Sequence, residues 1–221
     1  MLNIITIDGP TASGKGTISK KLANKLNWKI LDSGSIYRAI SYMALKKNLS
    51  IFNIQEILLL IKDSKLIFKD SKIFLENVDI SQKIRTEEIG SFASKISKFN
   101  NIRKVLIDYQ RSFYTNTGLV ADGRDMGTVV FPEAKLKIFL TANIEIRIKR
   151  RFNQLTKKGV SANLKNLAKS IKDRDLADIN RSCSPLIIAK DAYVIDSSYI
   201  DSDKVTNYIF NIWMNRFCCI K

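Results

Sequence analysis

The sequence predicts an α/β protein: a parallel sheet with helices on both faces. Three observations lead there. Short apolar runs rich in β-branched residues alternate with stretches of helical spacing along most of the chain. The first of these runs reads as a buried strand, as parallel sheets covered on both sides require. Three strand ends carry polar clusters, Asp8-Gly9, Asp32-Ser33-Gly34 and Asp122-Gly123-Arg124-Asp125. Ligands of such sheets bind beyond the carboxyl ends of the strands, so these clusters are expected to converge on one cleft.

Each element has its own local reason. Leu2-Asn3-Ile4-Ile5-Thr6-Ile7 is the first strand, and residues 9–16 form a loop. Residues 15–26 place Ile18, Leu22 and Leu26 on one helical face. Lys29-Ile30-Leu31 is a second strand, ending at Asp32-Ser33-Gly34. Helices are expected at about 35–46 and, with Asn53 as N-cap, at 54–61. Residues 65–80 change character. Leu66-Ile67-Phe68, Lys72-Ile73-Phe74-Leu75 and Val78-Asp79-Ile80 are short strand-like runs, separated by Lys69-Asp70-Ser71 and Glu76-Asn77. They read as a small antiparallel insert. Helices resume at about 87–97 and 102–114. Leu119-Val120-Ala121 and Leu136-Lys137-Ile138-Phe139-Leu140 are further strands of the main sheet. Asn143 is expected to cap a helix through Arg151, with a loop near Lys158-Gly159 and another helix at about 164–174. Ala192-Tyr193-Val194-Ile195 is the fifth strand, and 202–217 the last helix.

Composition narrows the function. With 221 residues, 45% apolar and 26% charged, the chain suits one soluble domain without disulfide staples. Three cysteines make no framework, and a reducing, cytoplasmic setting is expected. There is no histidine, which excludes Ser-His-Asp and Cys-His hydrolases and imidazole metal sites. No apolar run approaches the length of a membrane span, and residues 1–8 enter a strand without a basic leader, so neither membrane span nor signal peptide is expected. The net charge is +16. It fits attraction of nucleotides, and equally a lysine-rich solvated surface, since 26 of the 37 basic residues are Lys. The eleven arginines are the more informative group.

Gly9-Pro10-Thr11-Ala12-Ser13-Gly14-Lys15-Gly16-Thr17 follows a strand and opens a helix, the context that makes a GxxxxGK match specific. Such a loop turns backbone N–H groups inward around phosphate oxygens, and the helix N-terminus adds partial positive charge. Lys15 is expected to reach the β- and γ-phosphates of ATP. The next residue is Gly16, where many such loops place a magnesium-binding hydroxyl. Magnesium is therefore expected to be held by ATP phosphates and water, with Thr17 as the one candidate protein ligand.

The chain resembles the bacterial cytidylate kinases, nucleoside monophosphate kinases built on a P-loop. The resemblance rests on Asp8-Gly9-Pro10 with Gly14-Lys15-Gly16-Thr17, on Asp32-Ser33-Gly34 with Tyr37-Arg38, and on Ile84-Arg85-Thr86. It continues through Ala121-Asp122-Gly123-Arg124-Asp125-Met126-Gly127-Thr128-Val129-Val130-Phe131-Pro132, then Arg174-Asp175, Asp178 and Asn180-Arg181. It implies a P-loop NTPase fold in three α/β/α layers with a five-stranded parallel sheet. It also implies one domain, with a core at about 1–60, 87–142 and 175–221, a monophosphate-binding insert at about 63–86 and a short lid at about 147–162. The insert is expected to move toward the core when CMP binds.

The reaction implied is transfer of the ATP γ-phosphoryl group to CMP or dCMP, with magnesium. Similarity assigns CMP contacts to Ser33, Tyr37, Arg38, Ser94, Arg103, Arg124, Asp125, Arg174, Asp178 and Arg181. Arg38 and Arg124 can fork onto the CMP phosphate. Ser94, Arg103 and Asp125 are expected to read cytosine, since a carboxylate accepts from the exocyclic amine that uracil lacks. Asp178 and Arg181 are expected to approach the ribose. Arg150 and Arg151, with Lys15 and Arg174, are candidates for stabilising charge in the transition state.

Plainer readings of the same residues stay open. Asp125 beside Arg124 fits a structural ion pair. Tyr37 fits packing beneath the loop, and Ser94 a surface hydroxyl. Arg174, Asp178 and Arg181 at i, i+4 and i+7 fit a solvated salt-bridge stripe. Arg147, Lys149, Arg150 and Arg151 fit an exposed basic face. Cys218-Cys219-Ile220-Lys221 reads as the end of the last helix and not as a lipidation box. Adenylate, thymidylate or shikimate kinases share the phosphate loop but not the Asp-Gly-Arg-Asp-Met-Gly run. A nucleic-acid-binding switch would need aromatics interleaved with a basic stripe, and none is apparent. The chain is expected to be a monomer without an obligate protein partner.

Overall fold

The computed structural model describes residues 2–69, 72–157, 159, 161 and 163–218. Along the chain run β1 (Leu2–Asp8), α1 (Lys15–Leu26), β2 (Lys29–Asp32), α2 (Ser33–Lys46) and α3 (Ile54–Asp63). Then come β3 (Leu66–Lys69), β4 (Lys72–Leu75), β5 (Val78–Asp79), a short 3₁₀ turn (Lys83–Arg85), α4 (Glu87–Ile96) and α5 (Asn100–Arg111). β6 (Leu119–Gly123), a π turn (Met126–Val130), β7 (Ala134–Thr141), α6 (Ile144–Thr156) and α7 (Leu164–Asn180) follow. β8 (Tyr193–Asp196), α8 (Ser202–Trp213) and a second π turn (Met214–Cys218) complete the order. The elements group into two compact units, Met1–Leu31 with Phe113–Lys221, and Asp32–Ser112.

The main sheet has five strands in the order β2-β6-β1-β7-β8. The pairs β1/β6, β1/β7 and β7/β8 are all parallel. Ile5 and Ile7 of β1 join Val120, Leu136, Ile138, Leu140 and Ile195 against Ile18 and Leu22 of α1 and Val205, Ile209 and Trp213 of α8. Successive strand residues point to opposite faces. Ile4, Thr6, Leu119 and Ala121, on the other face, are also fully buried. Burial on both faces explains why these strands read as continuous apolar runs.

The Asp32–Ser112 unit carries the predicted insert, an antiparallel sheet in the order β3-β4-β5. Glu76 and Asn77 both have positive φ, +50° and +66°, as a tight two-residue hairpin turn requires. Ile73, Ile80, Ile84 and Ile89 pack with Ala39 of α2 in this unit's core.

Several boundaries differ from expectation. α2 starts at Ser33, because the Asp32 side chain accepts from the Ser35 N–H and caps it; Gly34 lies inside the helix. α5 spans Asn100–Arg111, starting and ending earlier than read. Asn53 precedes α3 but turns its side chain back to the Ser50 N–H, and Asn143 precedes α6 without a side-chain cap bond. α6 continues past Arg151 to Thr156. α7 runs to Asn180, well beyond residue 174; Leu176 and Ile179 are exposed there, so no apolar stripe marked the extension. Arg181 therefore lies just past the helix in extended conformation, off the stripe that Arg174 and Asp178 share. α8 ends at Trp213 and widens into the π turn before residue 217. The Asp70-Ser71 part of the first hairpin turn lies outside the described residues. So do Lys158 beside Gly159, part of the expected lid, and Cys219-Ile220-Lys221.

Candidate active site

The loop after β1 is shaped by its glycines. Gly9 has φ +150°, and a Cβ there would stand 2.0 Å from the Leu140 carbonyl oxygen. Only glycine lets β1 leave the sheet so close to β7. Gly14 caps α1 at φ +100°, and Ala12 between them adopts φ +60°. Left-handed residues interleaved in a turn swing consecutive N–H groups to one side, making an anion nest at the α1 N-terminus.

A loop that turns its N–H groups one way turns carbonyls the other, and those carbonyls need donors. Arg147 Nη1 donates to the Thr11 carbonyl at 3.0 Å, and its Nε to the Ala142 carbonyl at 2.9 Å. Arg150 Nη1 donates to the Ser13 carbonyl at 3.2 Å and to Ser197 Oγ at 3.1 Å. Asp175 accepts from the Thr11 N–H at 3.1 Å and pairs with Arg147.

Lys15 is buried and folds back on the loop, donating to the Pro10 carbonyl at 2.7 Å and weakly to Ser13 Oγ at 3.4 Å. Burial, with help from the Arg124 charge, pulls its pKa down to about 7. A charged ammonium in so dry a place needs an anionic partner, which a polyphosphate supplies. At Gly16 a Cβ would stand 3.4 Å from Asp122 Oδ2, an ordinary contact. A carboxylate thus flanks the loop where other loops carry a hydroxyl. Thr17 is exposed.

The run after β6 forms the second part of this unit's site. Buried Asp8 accepts from the Met126 and Gly127 N–H groups at 2.9 and 2.8 Å and so fixes the start of the π turn. Burial raises its pKa to about 6. Arg124 uses Nε on Asp178 at 2.8 Å, Nη1 on the Gly123 carbonyl at 3.2 Å and Nη2 on Thr11 Oγ1 at 3.1 Å. Among the described residues this leaves one N–H on each terminal nitrogen, the pair a phosphate fork needs. Burial alone would lower its pKa, but Asp178, Asp122 and Asp175 outweigh that and raise it. Asp125 pairs with Arg181 at 3.8 Å, and Arg181 also lies 3.7 Å from Asp178. Arg174 is half-buried on α7, and Arg151 donates to Gln154 on its own helix at 2.6 Å.

In the Asp32–Ser112 unit the named side chains are also held in place. Ser33 Oγ donates to buried Gln110 at 2.7 Å. Arg38 Nη1 donates to the Ile84 and Thr86 carbonyls at 3.0 and 3.1 Å, and its guanidinium lies over Gly90, where a Cβ would come within 2.5 Å. Arg103, buried, donates to the Ser97 carbonyl at 3.1 Å and sits 5.7 Å from the Tyr37 ring centroid. Ser94 is half-buried one turn before Ser97. Arg85 pairs with Asp32 at 3.1 Å; burial pushes the Asp32 pKa up, but Arg85 and Ser35 more than offset it and hold it below the usual carboxylate range.

Gln110 and Gly90 were not singled out from sequence, and Asp175 only through the family-like Arg174-Asp175 pair. Arg147 was read as part of an exposed basic face; the structure corrects this, because Arg147 is buried and spent on the Ala142 and Thr11 carbonyls. Among the described residues, no group of three or more His, Cys, Asp or Glu could hold a metal ion, and no helix is long and apolar enough to cross a membrane.

A parallel sheet, an N–H nest at a helix start, a buried lysine beneath it and a paired arginine beside it define a P-loop nucleotide-phosphate site. Comparison with known proteins narrows this. A family model described as cytidylate kinase matches residues 5–215. A cytidylate kinase of Bordetella bronchiseptica is 44% identical over 210 residues, 95% of this chain and 94% of that protein. One from Methylococcus capsulatus is 44% identical over 212 residues, 95% and 96% of the two chains. The crystal structure of an uncharacterized protein from Eubacterium ventriosum aligns at TM-score 0.51 and 16% identity, over 98% of this chain and 100% of that one, a likeness of fold alone. The chain belongs to the cytidylate kinase family, and its activity is that of a kinase with ATP as donor.

Proposed function

We propose that the enzyme transfers the ATP γ-phosphoryl group to CMP or dCMP, giving ADP with CDP or dCDP, and that magnesium accompanies ATP. The observation that carries this is Arg124, whose guanidinium is tied on three sides yet keeps one N–H on each terminal nitrogen, directly beside Thr11 of the phosphate loop. An acceptor phosphate forked there lies next to a donor phosphate in the nest, as in-line transfer needs. The acceptor oxygen is ionised near neutral pH, so no general base is required, in keeping with a chain without histidine.

ATP phosphates are assigned to the loop from Gly9 through Pro10, Thr11, Ala12, Ser13, Gly14, Lys15 and Gly16 to Thr17. Lys15 and Arg174, with Arg150 and Arg151, are proposed to neutralise charge on the transferring group. In the described state Arg150 supports the loop from behind, so its part in the transition state requires it to exchange the Ser13 carbonyl for phosphate oxygen. Magnesium supplies charge neutralisation between the phosphates. The residues fit it sparingly: hard oxygen donors are present in Asp122 beside Gly16 and in exposed Thr17, suited to a cation that keeps most of its water.

CMP contacts are proposed for Ser33, Tyr37, Arg38, Ser94, Arg103, Arg124, Asp125, Arg174, Asp178 and Arg181. Asp125, buried and oriented by Arg181, is proposed to accept from the cytosine amine. The insert at 63–86 and a lid at 147–162 are proposed to close on the two nucleotides. The enzyme is proposed to work as a cytoplasmic monomer. Asp125→Asn tests the base assignment through kcat/KM for CMP and UMP. Loss of the acceptor charge should lower the CMP value by roughly tenfold or more and narrow the preference over UMP. An unchanged ratio would remove Asp125 from base recognition.

A further inference from the structure

Asp175 and Asp178 stand one turn apart on α7 and hold two different partners. Asp175 accepts from the Thr11 N–H and pairs with Arg147, while Asp178 accepts from Arg124 Nε. Arg147, only 7% exposed, grips the same Thr11 peptide from its carbonyl side, and Thr11 Oγ1 accepts from Arg124. The triangle of Thr11, Arg124 and α7 is thereby closed on every side. Cohesion of α6 with α7 does not explain it, because Leu155, Leu167 and Ile171 with Ile144, Ile148 and Phe152 already form that seam. Nor does nest formation alone, since the Thr11 N–H points at a carboxylate.

The geometry points to Asp175 and Arg147 as positioning residues that fix the spacing between the donor loop and the acceptor-phosphate arginine. α7 acts as the ruler: its successive carboxylates set Thr11 and Arg124 at one separation, and Arg147 neutralises the carboxylate that holds the loop. This rests on the phosphate assignments proposed for the loop and for Arg124. Neither Asp175 nor Arg147 needs to touch a nucleotide. Their effect falls on alignment of the reacting phosphates, which small displacements degrade steeply.

Steady-state kinetics of Asp175→Asn, Arg147→Met and the double variant, with thermal melts, test this. Asparagine still accepts from the Thr11 N–H but turns an amide toward Arg147. Each single variant should lose at least about tenfold in kcat while KM for ATP and CMP stays within about threefold, and the double variant should be no worse than about twofold below the weaker single. Singles that keep kcat within twofold while their melting temperature falls, or losses that multiply in the double variant, overturn the inference. Should a single variant be unfolded at the assay temperature, Thr11→Val reads the same link by removing only the Arg124 acceptor. Its kcat should fall severalfold, and a kcat within twofold of the parent overturns the inference. The unsubstituted enzyme runs alongside with CMP: failure there defeats the underlying functional reading, whereas failure of the variants alone defeats only the ruler.

Discussion

The phosphate loop and the Asp32–Ser112 unit are built in opposite ways. In the loop, main-chain N–H groups form the anion nest, and side chains from elsewhere hold the main chain: Arg147 and Arg150 on carbonyls, Asp175 on an N–H. In the Asp32–Ser112 unit, side chains are the proposed contacts, and the main chain holds them. Arg38 rests on the Ile84 and Thr86 carbonyls, and Arg103 on that of Ser97. A polyphosphate tail is the same on every nucleotide, so main-chain N–H groups with one lysine suffice to bind it. A particular base needs side chains of particular chemistry. Substitutions in the first region should therefore act on the chemistry with every acceptor, and those in the second on binding of the acceptor and not of ATP.

Substitutions can sharpen or break that contrast. The largest effect is expected for Lys15→Ala, which should cost about a thousandfold or more in kcat with any acceptor while the melting temperature holds or rises, since a buried, depressed amine is removed. Retained turnover in a coupled ADP assay would dissolve the donor assignment. Arg124→Lys comes next. A point charge cannot hold Asp178, Gly123 and Thr11 and also fork a phosphate, so kcat/KM should drop by about 2–4 kcal/mol in transition-state stabilisation. A change under twofold would refute the fork. Gly90→Ala should be mildest: the new methyl displaces only the tip of Arg38, so KM for CMP should rise severalfold while KM for ATP and the melting temperature stay near the parent values. Equal shifts in both KM values would blur the proposed division between the regions.

Much of this was legible in the sequence because it is local. The five strands, the GxxxxGK loop and the Glu76-Asn77 turn each follow from neighbouring residues. The π turn at Met126–Val130 did not, because it is set by Asp8 more than a hundred residues away. α7 was read short because its last turns carry exposed Leu176 and Ile179 and no apolar stripe. Family resemblance flagged Asp125 and Arg181, but their pairing, and that of Arg124 with Asp178, needed the fold. Gln110 and Gly90 act by supporting Ser33 and Arg38, and no residue pattern marks a support.

Initial rates of ADP formation from magnesium-ATP with CMP, dCMP, UMP and AMP probe the central claim, that side chains choose the acceptor while backbone binds the donor. CMP or dCMP should be turned over far faster than UMP or AMP at equal concentration. Comparable rates with UMP and CMP would contradict it.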